Sequence, residues 1–223
     1  MNNLNVLYED NHIIVVEKKP NILCQGDNTK DLDLLTIIKQ YIKEKYNKPG
    51  NVYLALVHRL DRPVGGIMVY AKTSKAASRL SDIIRKHEMQ KEYLLVCTGD
   101  LKDEGIMEDY IERLDTKSII SNDKNGKYAK LEYKVLHRLD NLNLVKVDLI
   151  TGRHHQIRLQ FASRNCPLYG DQLYGLQDKK QIALFCYHLS FKHPVKDEIM
   201  DFKLIPKGSI WDKFDIERSI NNE

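Results

Sequence analysis

The sequence lacks the features that mark secreted, membrane-spanning and zinc-binding proteins. Its four cysteines lie far apart without a CxxC pair, which argues against a zinc knuckle and favours reduced thiols. No apolar run approaches the ~20 residues that cross a bilayer. The first residues show no basic segment followed by an apolar block, so we expect no secretion signal. These absences predict a protein of the cytoplasm with no membrane contact. The cysteines are Cys24, Cys97, Cys166 and Cys186.

The composition says little about a partner by itself. Of the 223 residues, 42% are hydrophobic and 30% are charged, which is typical of a globular chain with a real core. The net charge of +4 is only mildly basic and scarcely favours nucleic acid over other partners. There is no internal repeat, low-complexity tract or obvious linker. We therefore predict one continuous domain, residues 1–223, and a monomer.

The first half of the chain alternates apolar runs with amphipathic helices. Residues 31–46 place Leu35, Ile38, Ile42 and Tyr46 at helical spacing, with Asp31 as the expected N-cap. Residues 73–87 repeat the pattern as a capped amphipathic helix. Strands are expected at residues 12–17, 51–57 and 66–71.

The second half contains more strands than helices. A strand is expected at 91–99, and residues 102–127 predict a surface loop or a short hairpin. Two apolar segments, 128–139 and 144–150, flank the turn "DNLN" and predict an antiparallel pair. Residues 154–164 return to helical spacing, and 181–191 and 199–204 predict two further paired strands. Hairpins mixed with single helices favour an α+β fold over a doubly wound sheet.

Four segments carry polar residues that a plain core does not need. They are "HRLDRPVGG" (58–66), "KEYLLV" (91–96), "LITGRHHQIRLQFA" (149–162), and "YGDQLYG" with "HLSFKHP" behind it. The first places one carboxylate beside several cations, on a connection between two apolar strands. Such a loop is either a solvated turn or a holder for one reactive carboxylate.

Together these segments resemble the RluA family of RNA pseudouridine synthases, from about "YEDNHIIVVEKKP" to "FKHP". "HRLDRPVGG" is similar to the family's HRLD-x-x-[TS]-[SG]-G signature, and "TGRHHQIRLQ" to its TGRTHQIR-x-H segment. The resemblance implies an α+β pseudouridine synthase fold, with a mixed, mostly antiparallel central sheet, flanking helices and a catalytic cleft. It also implies a structured RNA as partner, either ribosomal or transfer RNA. It further implies that Asp61 is the catalytic carboxylate, Tyr93 the active-site aromatic and Arg158 the basic partner of Asp61.

The residue types also suit the implied chemistry. Uridine becomes pseudouridine when the bond from ribose to the base nitrogen breaks, the base rotates, and a ring carbon takes the ribose. This needs no cofactor, and one carboxylate can serve as nucleophile or as base. A bidentate guanidinium at Arg158 would keep Asp61 ionised and aimed, and Tyr93 would stack the uracil.

Several basic residues are candidates for binding RNA. The target base must be flipped out of its stack, and Arg59 is expected to fill the vacated space or hold the backbone. Arg62 and Arg153 are expected to contact phosphate, and His58 belongs to the same RNA-binding set.

The sequence departs from the family pattern in three places. Val64 and Gly65 stand where many members carry threonine and serine, and Pro63 is expected to stiffen the loop instead. No glycine follows Lys19 and Pro20 closely, so no function is transferred to them. There is no room before residue 8 for the small helical RNA-binding module of many members. The resemblance therefore covers the catalytic domain only.

Other readings remain open. His154 and His155 invite a metal site together with His58, Asp61, Asp171 and His188. However, neighbours on a helix point about 100° apart, and no HxxxH or HExxH spacing is present, so no metal is expected. A metal-dependent phosphodiesterase is a weaker alternative that a chelator would test. A non-catalytic RNA-binding paralogue is the main alternative, and the intact set of Asp61, Tyr93 and Arg158 argues against it.

Overall fold

The structure is a computed structural model that describes residues 4–29, 31–121, 125–208 and 210–221. Strands and short helices follow one another along the chain as an α+β arrangement. In chain order the elements are β1 (Val6–Glu9), β2 (Ile13–Lys18), α1 (Leu34–Lys45), β3 (Ala55–Leu56), β4 (Gly65–Ala71), α2 (Ser74–Arg85), β5 (Gln90–Thr98), β6 (Glu104–Leu114), β7 (Lys117–Ile120), β8 (Lys127–Leu139), β9 (Leu142–Asp148), α3 (Gln156–Ala162), β10 (Leu184–Lys192), β11 (Ile199–Lys203), a 3₁₀ turn (Trp211–Lys213) and α4 (Ile216–Asn221).

The chain divides into two compact units, and each is assembled from two separate stretches of sequence. Unit 1 takes its described residues from 1–89 and 188–204, and unit 2 takes them from 90–187 and 205–223. The division falls inside β10. The single domain that the sequence predicts stays a prediction.

Unit 1 is an antiparallel arrangement of strands with α2 packed on its apolar side. β2 pairs with β1 and with β4, β3 adds to β4, and the end of β10 pairs with β11. Its core combines side chains that are distant in the sequence, such as Ile13, Val69, Leu80 and Phe191. α2 begins as predicted, because the Thr73 side chain accepts a hydrogen bond from the Ala76 N–H at 3.2 Å.

Three expectations for unit 1 are wrong. The N-cap of α1 is Asp33, whose Oδ1 accepts from the Thr36 N–H at 3.0 Å, and Asp31 lies outside the helix. The buried face of α1 is Leu34, Ile38 and Ile42, whereas Tyr46 is 48% exposed. The strand expected at 51–57 is also shorter, because only Ala55–Leu56 pairs with β4.

Unit 2 is built on an antiparallel ladder in the order β5-β9-β8-β6-β7. The pair predicted around "DNLN" is confirmed as β8 and β9. Between residues 102 and 127 the hairpin alternative is right, although it is longer than expected: β6 alone spans Glu104–Leu114. Residues 122–124 lie outside the described part. Along the described residues, no helix is long and apolar enough to span a membrane.

Candidate functional site

The loop 58–66 of unit 1 connects β3 to β4 and holds Asp61 in a tight turn. The Val64 N–H donates to the Asp61 carbonyl oxygen at 3.0 Å, and the Asn21 N–H donates to the Arg62 carbonyl oxygen at 2.8 Å. Leu60 and Val64 are 7% and 2% exposed, so the turn is held by buried side chains on both sides of Asp61. Asp61 itself is half-buried, which suits a carboxylate that a ligand can reach.

A second buried residue, Lys18, supports the same turn from the end of β2. Its side chain is fully buried, and Nζ donates to the carbonyl oxygens of Arg62 at 2.9 Å and Val64 at 2.6 Å. Burial lowers the pKa of Lys18 to about 8, against the opposing effect of the Asp61 carboxylate. The ammonium therefore fixes the backbone on the C-terminal side of Asp61 and adds positive charge near it.

Cys24 supports the N-terminal side of Asp61. Its Sγ donates to the Leu60 carbonyl oxygen at 3.1 Å, and the Leu60 N–H donates back to Sγ at 3.4 Å. Burial raises the pKa of the Cys24 thiol, so sulfur remains a neutral hydrogen-bonding group. Both peptide neighbours of Asp61 are thus held by side chains from the 18–24 segment.

The three basic residues of this loop differ in their surroundings. The ring of His58 packs against β4, where its Nε2 accepts from the Val69 N–H at 3.1 Å. Arg62 forms an exposed ion pair with Asp31, Nη2 to Oδ2, at 2.6 Å. Arg59 is exposed. The proposed RNA contacts of His58, Arg59 and Arg62 stay predictions.

Tyr93 and Arg158 both belong to unit 2. Tyr93 is 6% exposed and lies in β5, opposite Val147 of β9. Arg158 lies in α3, where it forms a buried, two-point ion pair with Asp171: Nε donates to Oδ2 at 2.9 Å and Nη2 to Oδ1 at 2.7 Å. The two side chains are 6% and 1% exposed, so this pair is almost fully removed from water.

Asp171 is in turn held by the backbone. Its Oδ1 accepts from the N–H groups of Leu173 at 2.9 Å and Tyr174 at 3.2 Å. Burial alone would raise the pKa of Asp171, but the Arg158 guanidinium and these two N–H groups hold it below its ordinary value. The carboxylate therefore stays charged and fixes the plane of the guanidinium, whose carbon lies 5.3 Å from the centre of the Tyr174 ring.

The expected helix 154–164 is wrong at its beginning, since α3 starts at Gln156. His155 has a left-handed backbone with φ of 55°, which interrupts the helical path. The Gln156 Oε1 accepts from the Thr151 hydroxyl at 2.8 Å and from the Arg153 N–H at 3.0 Å, and so folds the preceding loop onto the helix. The rings of His154 and His155 consequently stack 3.8 Å apart instead of diverging by the angle expected on a helix.

Further hydrogen bonds join this segment to its neighbours. Nδ1 of His154 lies 2.9 Å from the Ser118 hydroxyl, and Nδ1 of His155 lies 3.0 Å from the Tyr174 hydroxyl. Nε of Arg153 donates to the Tyr128 carbonyl oxygen at 2.7 Å. Within the described ranges, no three His, Cys, Asp or Glu side chains are placed to hold one metal ion. That no metal takes part stays a prediction.

The structure thus places Tyr93 and Arg158 in unit 2 and Asp61 in unit 1. A direct contact between Arg158 and Asp61 stays a prediction, as do the roles of all three. Two residues with structural influence were missed by the sequence. Lys18 directly follows the apolar strand predicted at residues 12–17, and its position at the end of "HIIVVE" was a signal. Asp171 belongs to the segment "GDQLYG", but the sequence spacing alone did not identify Arg158 as its partner.

Comparison with known proteins places these residues in one family. The family model "RNA pseudouridylate synthase" matches residues 12–163, which include Asp61, Tyr93 and Arg158. A protein of Aquifex aeolicus named as an uncharacterised RNA pseudouridine synthase is 34% identical over 218 residues, which is 90% of this chain and 69% of that protein.

Two further relatives carry names that refer to the ribosome. Ribosomal large subunit pseudouridine synthase D of Vibrio cholerae is 31% identical over 89% of this chain, and pseudouridine synthase C of Rickettsia bellii is 35% identical over 76%. The chain spans 66% and 56% of the length of these two proteins.

Solved structures agree on the fold. Human RNA Pseudouridylate Synthase Domain Containing 4 superposes with a TM-score of 0.77 at 20% identity, over 97% of this chain and 92% of that chain. Human RNA Pseudouridylate Synthase Domain Containing 1 gives a TM-score of 0.72 at 21% identity, over 92% of this chain and 84% of that chain. The predicted α+β pseudouridine synthase fold is confirmed.

Proposed function

This chain belongs to the RNA pseudouridylate synthase family, and from that premise we propose that it converts a specific uridine of a structured RNA into pseudouridine. The observation that carries the proposal is the stretch matched by the family, which contains Asp61, Tyr93 and Arg158. The surroundings of these residues support it. Asp61 is half-buried in a turn that side chains hold from both sides, and Arg158 is fixed in one orientation by Asp171.

The proposed target is RNA of the large ribosomal subunit, because the names of the relatives from Vibrio cholerae and Rickettsia bellii refer to that subunit. Transfer RNA is the second target class. We further propose that the protein acts as a monomer in the cytoplasm, where bacterial ribosomal RNA is found.

In the proposed reaction, the bond between C1′ of the ribose and N1 of uracil breaks and a bond between C1′ and C5 forms. The hydrogen that C5 loses is balanced by the hydrogen that N1 gains, so no electrons enter or leave. Asp61 acts either as the nucleophile at C1′ or as the base that starts an elimination from the ribose. Both roles require an ionised carboxylate at a fixed place, which the turn around Asp61 provides.

Tyr93 and Arg158 have supporting roles in this proposal. The ring of Tyr93 stacks on the flipped uracil. Arg158 keeps Asp61 ionised and oriented. Its Nε and Nη2 donate to Asp171, and we propose that the same guanidinium also contacts Asp61. A guanidinium suits such a double task because its N–H groups point along fixed directions in one plane.

The test uses unmodified large-subunit ribosomal RNA, transfer RNA as a second substrate, and chemical mapping of pseudouridine. The wild-type protein is expected to modify a defined uridine, and Asp61→Asn is expected to bind the RNA but form no product in a single turnover. Product from a pure Asp61→Asn protein would remove Asp61 from the chemistry. RNA binding by the wild-type protein without any pseudouridine in either RNA would identify a non-catalytic RNA-binding protein instead.

A further inference from the structure

Lys91 is a cation on the same strand face as Tyr93. Both residues lie in β5, two positions apart, so their side chains leave the strand on the same side about 6.6 Å from one another. Lys91 is half-buried. Its backbone carbonyl oxygen accepts from the Leu149 N–H at 3.0 Å, which ties the beginning of β5 to the segment that leads into the loop 151–153.

The ammonium of Lys91 has different surroundings from that of the buried Lys18. Lys18 donates to carbonyl oxygens at 2.6 and 2.9 Å. In the part of the chain that the structure describes, Nζ of Lys91 makes no hydrogen bond or ion pair. Burial lowers the pKa of Lys91, and only the weaker effects of Cys186 and Asp148 oppose the shift. A half-buried ammonium of this kind gains more from an added anion than an exposed lysine does.

Gly152 lies beside this ammonium and places no side chain over it. A methyl group on Gly152 would lie 3.7 Å from Nζ of Lys91, so any longer side chain there would lie over the charge. The φ of Gly152 is outside the left-handed region, and the backbone therefore does not require glycine at this position. Gly152 is itself exposed. Because residue 152 is glycine, no side chain occupies the space next to the Lys91 ammonium.

We propose that Lys91 binds a phosphate group of the RNA backbone beside the target uridine. This subsite rests on the function proposed above, and it extends that function to a residue outside the predicted set. A compact ammonium suits a phosphate, which offers negative oxygens in several directions. Gly152 precedes Arg153 in an exposed loop. We expect the backbone of a bound RNA, and not its flipped base, to pass over an exposed loop of this kind. The flipped base belongs with the buried ring of Tyr93.

The test measures the affinity for unmodified large-subunit ribosomal RNA between about 50 and 200 mM salt. Lys91→Gln removes the charge, and Gly152→Val keeps the charge but covers it. Both variants are expected to bind severalfold more weakly, with a log–log salt slope shallower by roughly 0.7–0.9, the value for one phosphate. Lys102→Gln removes a charge from an exposed loop of the same unit and is expected to keep the parent slope.

Thermal unfolding separates binding from folding in these variants. An unchanged salt slope for Lys91→Gln with a reduced turnover would indicate that Lys91 contacts the flipped uracil. An unchanged slope with a lower melting temperature would indicate that Lys91 only stabilises the fold. Either result overturns the phosphate site. The proposed function is judged separately, by product. Wild-type protein that forms pseudouridine but shows no dependence on Lys91 overturns the subsite alone. A slope that depends on Lys91, in a protein that forms no pseudouridine, supports the subsite and overturns the function.

Discussion

The turn that carries Asp61 and the helix that carries Arg158 are both held by a buried charge, but the partners of the two charges differ. In unit 1, the Lys18 ammonium is bound by neutral carbonyl oxygens. In unit 2, the Arg158 guanidinium is bound by the Asp171 carboxylate. Neutral acceptors do not compensate the loss of water around a charge as fully as a carboxylate does, so the pKa of Lys18 is lowered to about 8.

Because of this difference, we expect the two regions to respond to different conditions. A guanidinium remains charged at every pH at which a protein is folded, and the Arg158–Asp171 pair weakens only when acid protonates Asp171. The support of the Asp61 turn is sensitive on the alkaline side, where Lys18 loses its proton. The support of Arg158 is therefore insensitive to alkaline pH, whereas the support of the Asp61 turn weakens when Lys18 is deprotonated.

The largest effect on stability is expected when the Asp171 carboxylate of unit 2 is removed. Asp171→Ala leaves the Arg158 guanidinium buried without its partner, and we expect the free energy of unfolding to fall by about 3–5 kcal/mol. Asp171→Asn keeps the volume and one acceptor, so it is expected to fold and to lower kcat far more than it raises KM. Urea unfolding and single-turnover assays check both.

Asp178→Asn is the matched control for Asp171. It removes a carboxylate from the same connection, where Asp178 forms an ion pair with the exposed Lys180. Its stability is expected to stay within about 0.5 kcal/mol of the parent. If Asp171→Asn behaves like this control, Asp171 does not orient Arg158.

The next effect is expected from the buried lysine of unit 1. Lys18→Met removes the donor to the Arg62 and Val64 carbonyl oxygens, which lets the Asp61 turn shift. A displacement of this kind is expected to lower kcat roughly 10- to 100-fold. Stability is expected to change little, because two unpaired carbonyl groups oppose the relief of no longer burying a charge. Lys19→Met, at the exposed neighbour, is the control, and equal activities of the two variants would contradict a positioning role for Lys18.

The lowered pKa of Lys18 predicts how activity and stability depend on pH. As the pH rises through about 8, Lys18 loses its charge in the folded protein, and kcat is expected to fall. The unfolded chain holds this proton up to about its ordinary pKa of 10.5. The folded state therefore gains relative stability between these two values, so activity and stability move in opposite directions. Lys18→Met is expected to lack the alkaline fall in kcat, and a fall that persists in this variant would assign it to another group.

Acid is expected to act on unit 2 instead. The folded pKa of Asp171 lies below its ordinary value of 3.8, so the stabilisation from its charge is complete above that value and is lost as the pH falls further. Unfolding by acid, followed by circular dichroism, is expected to begin at a higher pH in Asp171→Asn than in the parent. Coincident acid transitions would show that another group controls the loss.

The smallest effects are expected at the exposed arginines of the Asp61 loop. Arg62→Ala breaks a surface ion pair with Asp31 that is worth about 0.2–1 kcal/mol, and it is expected to make the salt slope of RNA binding shallower by about one contact. Arg59→Ala is expected to slow base flipping and leave the slope nearly intact. Identical slopes in both variants and the parent would refute this division of roles.

Much of the architecture follows from periodicity alone. α2, the β8–β9 pair and the β10–β11 pair were predicted, because each shows its pattern over many residues. The beginning of α1 was not predicted. Asp31 and Asp33 are both good caps by type, and the choice depends on the Leu34 N–H, which donates to the distant Leu23 carbonyl oxygen at 2.8 Å. A local pattern does not contain that contact.

The site shows the same limit. The sequence and the family resemblance identified the segments, and with them Asp61, Tyr93 and Arg158. The supports of these residues depend on long-range contacts: Lys18 meets a loop some forty residues away in the chain, and Arg158 meets Asp171 across the turn that follows α3. The left-handed His155 also escaped prediction, because helical spacing resumes immediately after it.

Each unit is assembled from two stretches of sequence that are separated by part of the other unit, and this order affects folding during synthesis on the ribosome. The core of unit 1 contains Leu189, Phe191 and Met200, which are synthesised only after the whole of residues 90–187. Unit 2 in turn includes residues that follow Leu204. Neither unit can therefore complete its core before almost the entire chain has emerged. During that interval the apolar side chains of β2 and β4 lack their partners from β10 and β11, so we expect the nascent chain to be prone to aggregation.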